Sequence, residues 1–238
     1  MIEFYRSHHQ KIALVLHSLN GTLLHEHRCY FGGGTAIALK YGEYRESVDM
    51  DFLISDLSSY RQLRALLTGP YAFTSILRTP ENSYFSHHPI RADQYGIRTI
   101  LSVLGQPIKF EIVFESRMPL ADPGSHDMVC GVATLTSGDM VASKLLANSD
   151  RWRDESVFSR DIIDLAMLHP SLGLLRQALA KAEQAYGQSI REDANKAIDF
   201  TLSRPTYVDR CLQALSISVP KAQLWQRMKE LKKKVVQA

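Results

Sequence analysis

The segment "CYFGGGTAIALKYGEYRESVDMDFLI", Cys29 to Ile54, constrains this chain more than any other. Three successive glycines, Gly32 to Gly34, suit the interior of neither a strand nor a helix. The apolar "CYF" therefore reads as a short strand that stops there. "TAIALKYG" reads as a two-turn helix opened by Thr35 and closed by Gly42. "VDMDFLI" then alternates, with Val48, Met50, Phe52 and Ile54 on one face and Asp49, Asp51 and Leu53 on the other. Residues i and i+2 of a strand share a side, so Asp49 and Asp51 present two carboxylates to one place.

Two carboxylates so close in an apolar setting repel, and one is driven toward protonation unless a cation compensates them. Hard oxygen ligands of this kind suit Mg²⁺ or Mn²⁺. Gly33 and Gly34 admit a close backbone approach where the helix begins, and the free N–H groups there form an anion site. A phosphate cradle beside a dicarboxylate metal site is what phosphoryl or nucleotidyl transfer requires. The bland alternatives are a simple glycine turn and a loop Asp-x-Asp. The apolar residues framing both aspartates favour metal binding, because unpaired buried charge is costly. "IKFEIVFE" offers Glu111 as a third carboxylate. It is preferred to Glu115, which lies at the strand's end where solvent can compensate it.

The rest of the chain predicts an α+β protein of 238 residues. Residues 3–27 have the spacing of one amphipathic helix and 57–67 of another. Residues 71–115 read as β-structure with a hairpin turning at Gly105–Pro107. A strand gives way to a helix at Ser137, and helices follow to the end: one stopped by Pro170, then 171–185, 189–203, 205–215 and 220–235. The expected division is an α/β core over 1–136 and a helical C-terminal domain over 137–238. His87 and His88 are expected in a loop, without a third ligand that would make a metal site.

Net charge is +3, but the last stretch, "KAQLWQRMKELKKKVVQA", carries six basic residues against one acidic. That local +5 leaves −2 on the rest, so any basic patch is a C-terminal feature. Lysines there suit a helix end, and that reading is preferred to nucleic-acid contact. No signal peptide or membrane span is expected, and three scattered cysteines fit the reducing cytosol.

"GGTAIALKYGEYRESVDMDFL" resembles the signature of the nucleotidyltransferase toxins of the AbiEii/AbiGii type, within the DNA polymerase β-like superfamily. The matching residues are Gly33, Gly34, Thr35, Ala36, Arg45, Ser47, Asp49 and Asp51. A later block resembles the family's second motif through Lys144, Arg151, Arg160, Asp161, Asp164 and Leu165. The resemblance implies a polymerase β-like core with a mixed sheet. It implies an NTP held by Ser47 and the glycine turn, with Thr35 and Arg45 nearby, and Mg²⁺ or Mn²⁺ on Asp49, Asp51 and Glu111. Lys144 would contact phosphate and Asp161 would orient it. From the residues alone, Lys144 also fits a snorkelling surface lysine. Asp161 also fits a helix N-terminal acid, and Arg45 a partner of Glu43 or Glu46. The implied setting is a toxin–antitoxin or phage-defence pair, with a tRNA 3′ end or a protein hydroxyl as acceptor and a cognate antitoxin as partner. An inactive binding scaffold and an antibiotic-modifying transferase are the rival readings.

Overall fold

The computed structural model describes residues 4–79 and 85–238 of the chain. They divide into two compact units, the first formed by 4–40, 47–79 and 85–136 and the second by 41–46 and 137–238.

The first unit is built on a mixed sheet. α1 (Ser7–Ser18) buries Ile12, Val15 and Leu16, and α2 (Gly21–Glu26) follows it. The single helix expected over 3–27 is thus two; its residue 3 lies outside the described residues. Leu19 turns extended, and the Asn20 side chain accepts from Leu23 N–H at 3.1 Å, restarting the helix with a strong cap. β1 (Tyr30–Phe31) runs antiparallel to β2 (Met50–Ile54), with α3 (Gly33–Lys40) between them. α4 (Leu57–Thr68) is capped by Asp56, whose carboxylate accepts from Ser59 N–H at 2.7 Å.

The region expected to be β over 71–115 holds a 3₁₀ turn at Ala72–Ile76, then β3 (Phe85–His87), β4 (Arg91–Ala92), β5 (Gly96–Val103) and β6 (Gln106–Phe114). Its residues 80–84 lie outside the described residues. His87 closes β3 opposite Leu101, and its ring meets Phe73 at 5.8 Å, so it is a strand residue and not a loop residue. The hairpin turns at Leu104 and Gly105, with φ of 48° and 80°. Positive φ at both central residues matches the twist of the flanking strands. The turn is therefore tighter and earlier than Gly105–Pro107.

The strand order is β1-β2-β6-β5-β3, with β4 also on β5, and β2 runs parallel to β6. One face buries Phe31, Phe52, Phe73 and Phe110, with ring centroids 5.0–5.3 Å apart. The other face carries Asp51, Glu111 and Arg98 side by side, because Asp51 pairs with Glu111 and Glu111 with Arg98. Val48, expected in the core, is 46% exposed because it precedes the strand. A short β7–β8 hairpin (Met128–Val129, Val132–Ala133) ends this unit.

The second unit is helical. α5 (Ser137–Arg151) packs against α6 (Arg160–Leu168), α7 (Leu172–Tyr186) and α8 (Ser189–Leu202). α9 (Pro205–Ala214) opens with proline at its first position, where the lost N–H costs nothing. α10 (Lys221–Gln237) seats Leu224, Met228, Leu231 and Val235 against α6, α7 and α8. Phe158 and Ser159, both left-handed with φ near 50°, aim the start of α6. Among the described residues no helix is long and apolar enough to cross a membrane.

Candidate functional site

The first unit carries the carboxylates. Gly33 has φ +66°, and a Cβ there would sit 2.5 Å from Asp51 Oδ2. The absent side chain is what allows the start of α3 to lie against the Asp51 carboxylate. α3 opens at Gly33, two residues before the expected Thr35. Thr35 has another task. Buried to 1% exposure, its hydroxyl donates to the Asp49 carbonyl oxygen at 2.5 Å and lies 2.8 Å from Ser47 Oγ. It ties α3 to the segment leading into β2.

Two histidines that sequence reasoning missed hold the same segment from α1. The Ser47 N–H donates to His9 Nε2 at 3.1 Å. His8 Nε2 lies 2.9 Å from the Val48 carbonyl, and its Nδ1 lies 2.8 Å from Gln106 Nε2. His9 accepts through Nε2, and His8 is engaged through both ring nitrogens. Nothing in the N-terminal pattern "SHHQKIALVLH" distinguishes these two from surface histidines.

Glu111 is 9% exposed and sits beside Asp51 in register. Its carboxylate accepts from Arg98 Nε at 2.5 Å and Lys109 Nζ at 2.6 Å. Burial pushes its pKa up, but these two cations together hold it below the usual carboxylate range. Lys109 is raised chiefly by Glu111 and also by Asp51 and Asp49, which puts its ammonium within the field of the aspartate pair. Glu115 is not compensated by solvent. It is 2% exposed and held by Arg117, with Nε at 2.9 Å and Nη2 at 2.7 Å.

Among the described residues no three His, Cys, Asp or Glu side chains stand together as a ready metal cage. Asp49 and Asp51, both partly exposed beside a helix start, still suit Mg²⁺, which keeps waters and completes its shell with substrate phosphates.

The second unit holds a buried charge cluster. Lys144 is 5% exposed, which removes the snorkelling alternative. Its ammonium lies 2.9 Å from Asp161 Oδ1 and 2.6 Å from Asp164 Oδ2. Arg151 adds a fork on Asp161, with Nε at 2.7 Å and Nη2 at 3.0 Å. Arg45 engages Asp164 through Nε at 2.6 Å and Nη2 at 2.8 Å, and its Nη1 donates to the Glu46 carbonyl. Its fork thus goes to a distant aspartate rather than to a neighbouring glutamate. Tyr44 donates to Asp164 at 2.5 Å. Burial alone would raise both aspartates, yet Lys144 and Arg151 hold Asp161, and Arg45 and Lys144 hold Asp164, below the usual range. Asp161 is thus more than a helix N-terminal acid.

A family model for the nucleotidyl transferase AbiEii toxin of type IV toxin–antitoxin systems matches residues 16–234. The chain belongs to the AbiEii family. No curated protein matches it. The crystal structure of JHP933 from Helicobacter pylori is similar at 16% identity and a TM-score of 0.51, covering 99% of this chain and 93% of that one. A second H. pylori crystal structure matches at 15% identity, covering 97% and 92%, with a TM-score of 0.46. The first likeness supports the mixed α+β fold of this AbiEii-family chain.

One substitution probes the close approach directly. Gly33→Ala forces a left-handed alanine, costing about 1–2 kcal/mol, and drives a methyl into Asp51. The expected result is a lower melting temperature together with loss of any activity that depends on Asp51. A Gly33→Ala protein equal to wild type in both would remove Gly33 from the site.

Proposed function

We propose that the chain is a Mg²⁺-dependent nucleotidyltransferase that moves an NMP from an NTP to an acceptor hydroxyl and releases pyrophosphate. The observation that carries this reading is the Asp51 carboxylate lying against the start of α3, where only glycine fits at position 33. A helix start favours phosphate and a carboxylate pair favours a divalent cation, so a metal-bound triphosphate satisfies both. Mg²⁺ (or Mn²⁺) on Asp49 and Asp51 would neutralise phosphate charge as pyrophosphate leaves.

The chain's own residues supply the positioning. N–H groups at Gly33 and Gly34, with the Ser47 hydroxyl, bind phosphate oxygens. Thr35, His8 and His9 fix the segment that carries Asp49. Within the second unit, Lys144 is held in line by Asp161, and Arg45 anchors the cluster through Asp164. Glu111 is the third carboxylate and the proton acceptor from the attacking hydroxyl. Arg98 and Lys109 keep it ionised and also lower its basicity, so its share of the rate is smaller than that of the aspartates.

The architecture we assign is a polymerase β-like core followed by a helical C-terminal domain. The setting we assign is the cytoplasm, as toxin beside a cognate antitoxin, with a tRNA 3′ end as acceptor and a protein hydroxyl as the other candidate. The test is incubation with each NTP radiolabelled at its α-phosphate, Mg²⁺, and total bacterial RNA and protein. Label should pass to one macromolecular fraction, from one or more of the nucleotides. NTP binding without label transfer to RNA, protein or an added aminoglycoside would instead identify an inactive binding scaffold. Transfer to the aminoglycoside alone would identify an antibiotic-modifying enzyme.

A further inference from the structure

The sheet face that carries the aspartate pair also carries a cation of its own. β2 and β6 run parallel, with Met50 beside Phe110 and Asp51 beside Glu111. Asp49 and Lys109 each stand one residue before the Met50–Phe110 pair, and strand alternation puts Lys109 on the face of Glu111. Lys109 Nζ lies 2.6 Å from Glu111 Oε2, and the charges of Asp51 and Asp49 act on the same ammonium. Arg98 on β5 takes the other oxygen of Glu111 at 2.5 Å and shares its own charge with Asp93.

The two cations differ in place and in freedom. Arg98 is two strands from Asp51, with Glu111 between them, whereas Lys109 lies on the strand next to Asp51. The Lys109 side chain is 49% exposed, so its flexible stem carries a point charge that is free to swing outward. A divalent cation on Asp49 and Asp51 is drawn to the same carboxylates that hold this ammonium. At a separation of about 5 Å, even with the dielectric of bulk water, the repulsion between the two weakens cation binding about tenfold. If the ammonium withdraws instead, its ion pair with Glu111 is lost. Either route costs the cation affinity.

We propose that Lys109 is the resident counter-ion of the Asp49, Asp51 and Glu111 carboxylates, and that it competes with the divalent cation for them and so sets its affinity. Lys109 is then a positioning residue: it holds neighbouring carboxylates together and yields them to the cation. The inference rests on the reading of the aspartate pair as a cation site, and it is tested by cation binding rather than by transfer.

The experiment is titration of the full chain with Mn²⁺, without nucleotide, following the free ion by electron paramagnetic resonance. Lys109→Met keeps much of the stem and removes the charge, and it should bind Mn²⁺ about tenfold more tightly than wild type. Lys109→Gln should gain likewise, while Lys109→Arg, which keeps the charge, should stay near wild type. Arg98→Met removes a charge from the same glutamate one strand further away and should gain less than Lys109→Met. Adding Asp51→Asn to Lys109→Met should abolish the gain. Thermal melting checks that each variant is folded. A merely structural Lys109 would give the opposite sign, because loosened carboxylates bind the ion less well. The proposal is overturned if neither neutral variant binds Mn²⁺ more tightly than wild type, or if Arg98→Met gains as much. Should Mn²⁺ binding still depend on Asp51 in that case, only the role of Lys109 fails. If no variant binds Mn²⁺ through Asp51, the cation reading of the pair fails as well.

Discussion

Asp51→Asn is expected to lower NMP transfer at least about 10³-fold, some 4 kcal/mol of transition-state stabilisation. The substitution keeps the shape of the side chain and removes its charge. Asp51 is partly exposed at the entry to β2, so the fold does not depend on its ionisation. The melting temperature should therefore stay within a few degrees of wild type. Asp49→Asn should behave alike, and the double substitution should cost little more than either single one, because residues acting as a unit are not additive. The measurement is label transfer from the α-phosphate beside a thermal melt of each protein. Transfer within about tenfold of wild type, in a folded Asp51→Asn protein, would mean that the pair is not the reaction centre.

Asp164→Asn should have the opposite profile, with a large loss of stability. Asp164 has no exposed surface and receives the Arg45 fork, the Lys144 ammonium and the Tyr44 hydroxyl. Removing its charge leaves Arg45 buried without its counterion, a loss of about 3–5 kcal/mol. For a chain of this size that corresponds to a fall in melting temperature of roughly 10 °C. A joint Asp164→Leu and Arg45→Met replacement should recover part of the loss, since a well-packed apolar pair does not require desolvated charge.

The pH dependence follows with a definite sign. The carboxyls of Asp161 and Asp164 are held below their ordinary value of 3.8 in the folded chain. Their contribution is therefore complete above that value and is withdrawn as pH falls beneath it. Wild type should lose stability more steeply than Asp164→Asn below pH 3.8. Parallel acid-unfolding curves would show that the cluster does not stabilise the fold through its charges.

How much of this was legible in the sequence depended on how local each signal is. Gly33 and Asp51 lie within twenty residues, and two short periodicities place them, so their close approach could be read from spacing. Arg98 could not be read, because a hairpin turned at Gly105–Pro107 sets Leu101 opposite Glu111. The actual two-residue turn at Leu104 and Gly105 sets Arg98 there. A small displacement of the turn exchanges the cross-strand partner of every residue in the hairpin. The preference for Glu111 over Glu115 rested on a solvated Glu115, which Arg117 in fact covers.

Sequence by itself determined the elements whose causes are near neighbours: the glycine stop, the alternation of β2, and the helices from Ser137 onward. Asp161 and Asp164, three apart, were bound to share a face of α6. Which cations that face would meet was decided only in three dimensions. Lys144 reaches Asp164 across twenty residues and Arg45 across 119. Such pairings depend on how elements pack, and side-chain chemistry alone allows many partners for a buried carboxylate. Tertiary structure chose among them by burial, because in a low-dielectric interior a carboxylate without its cation is too costly to keep.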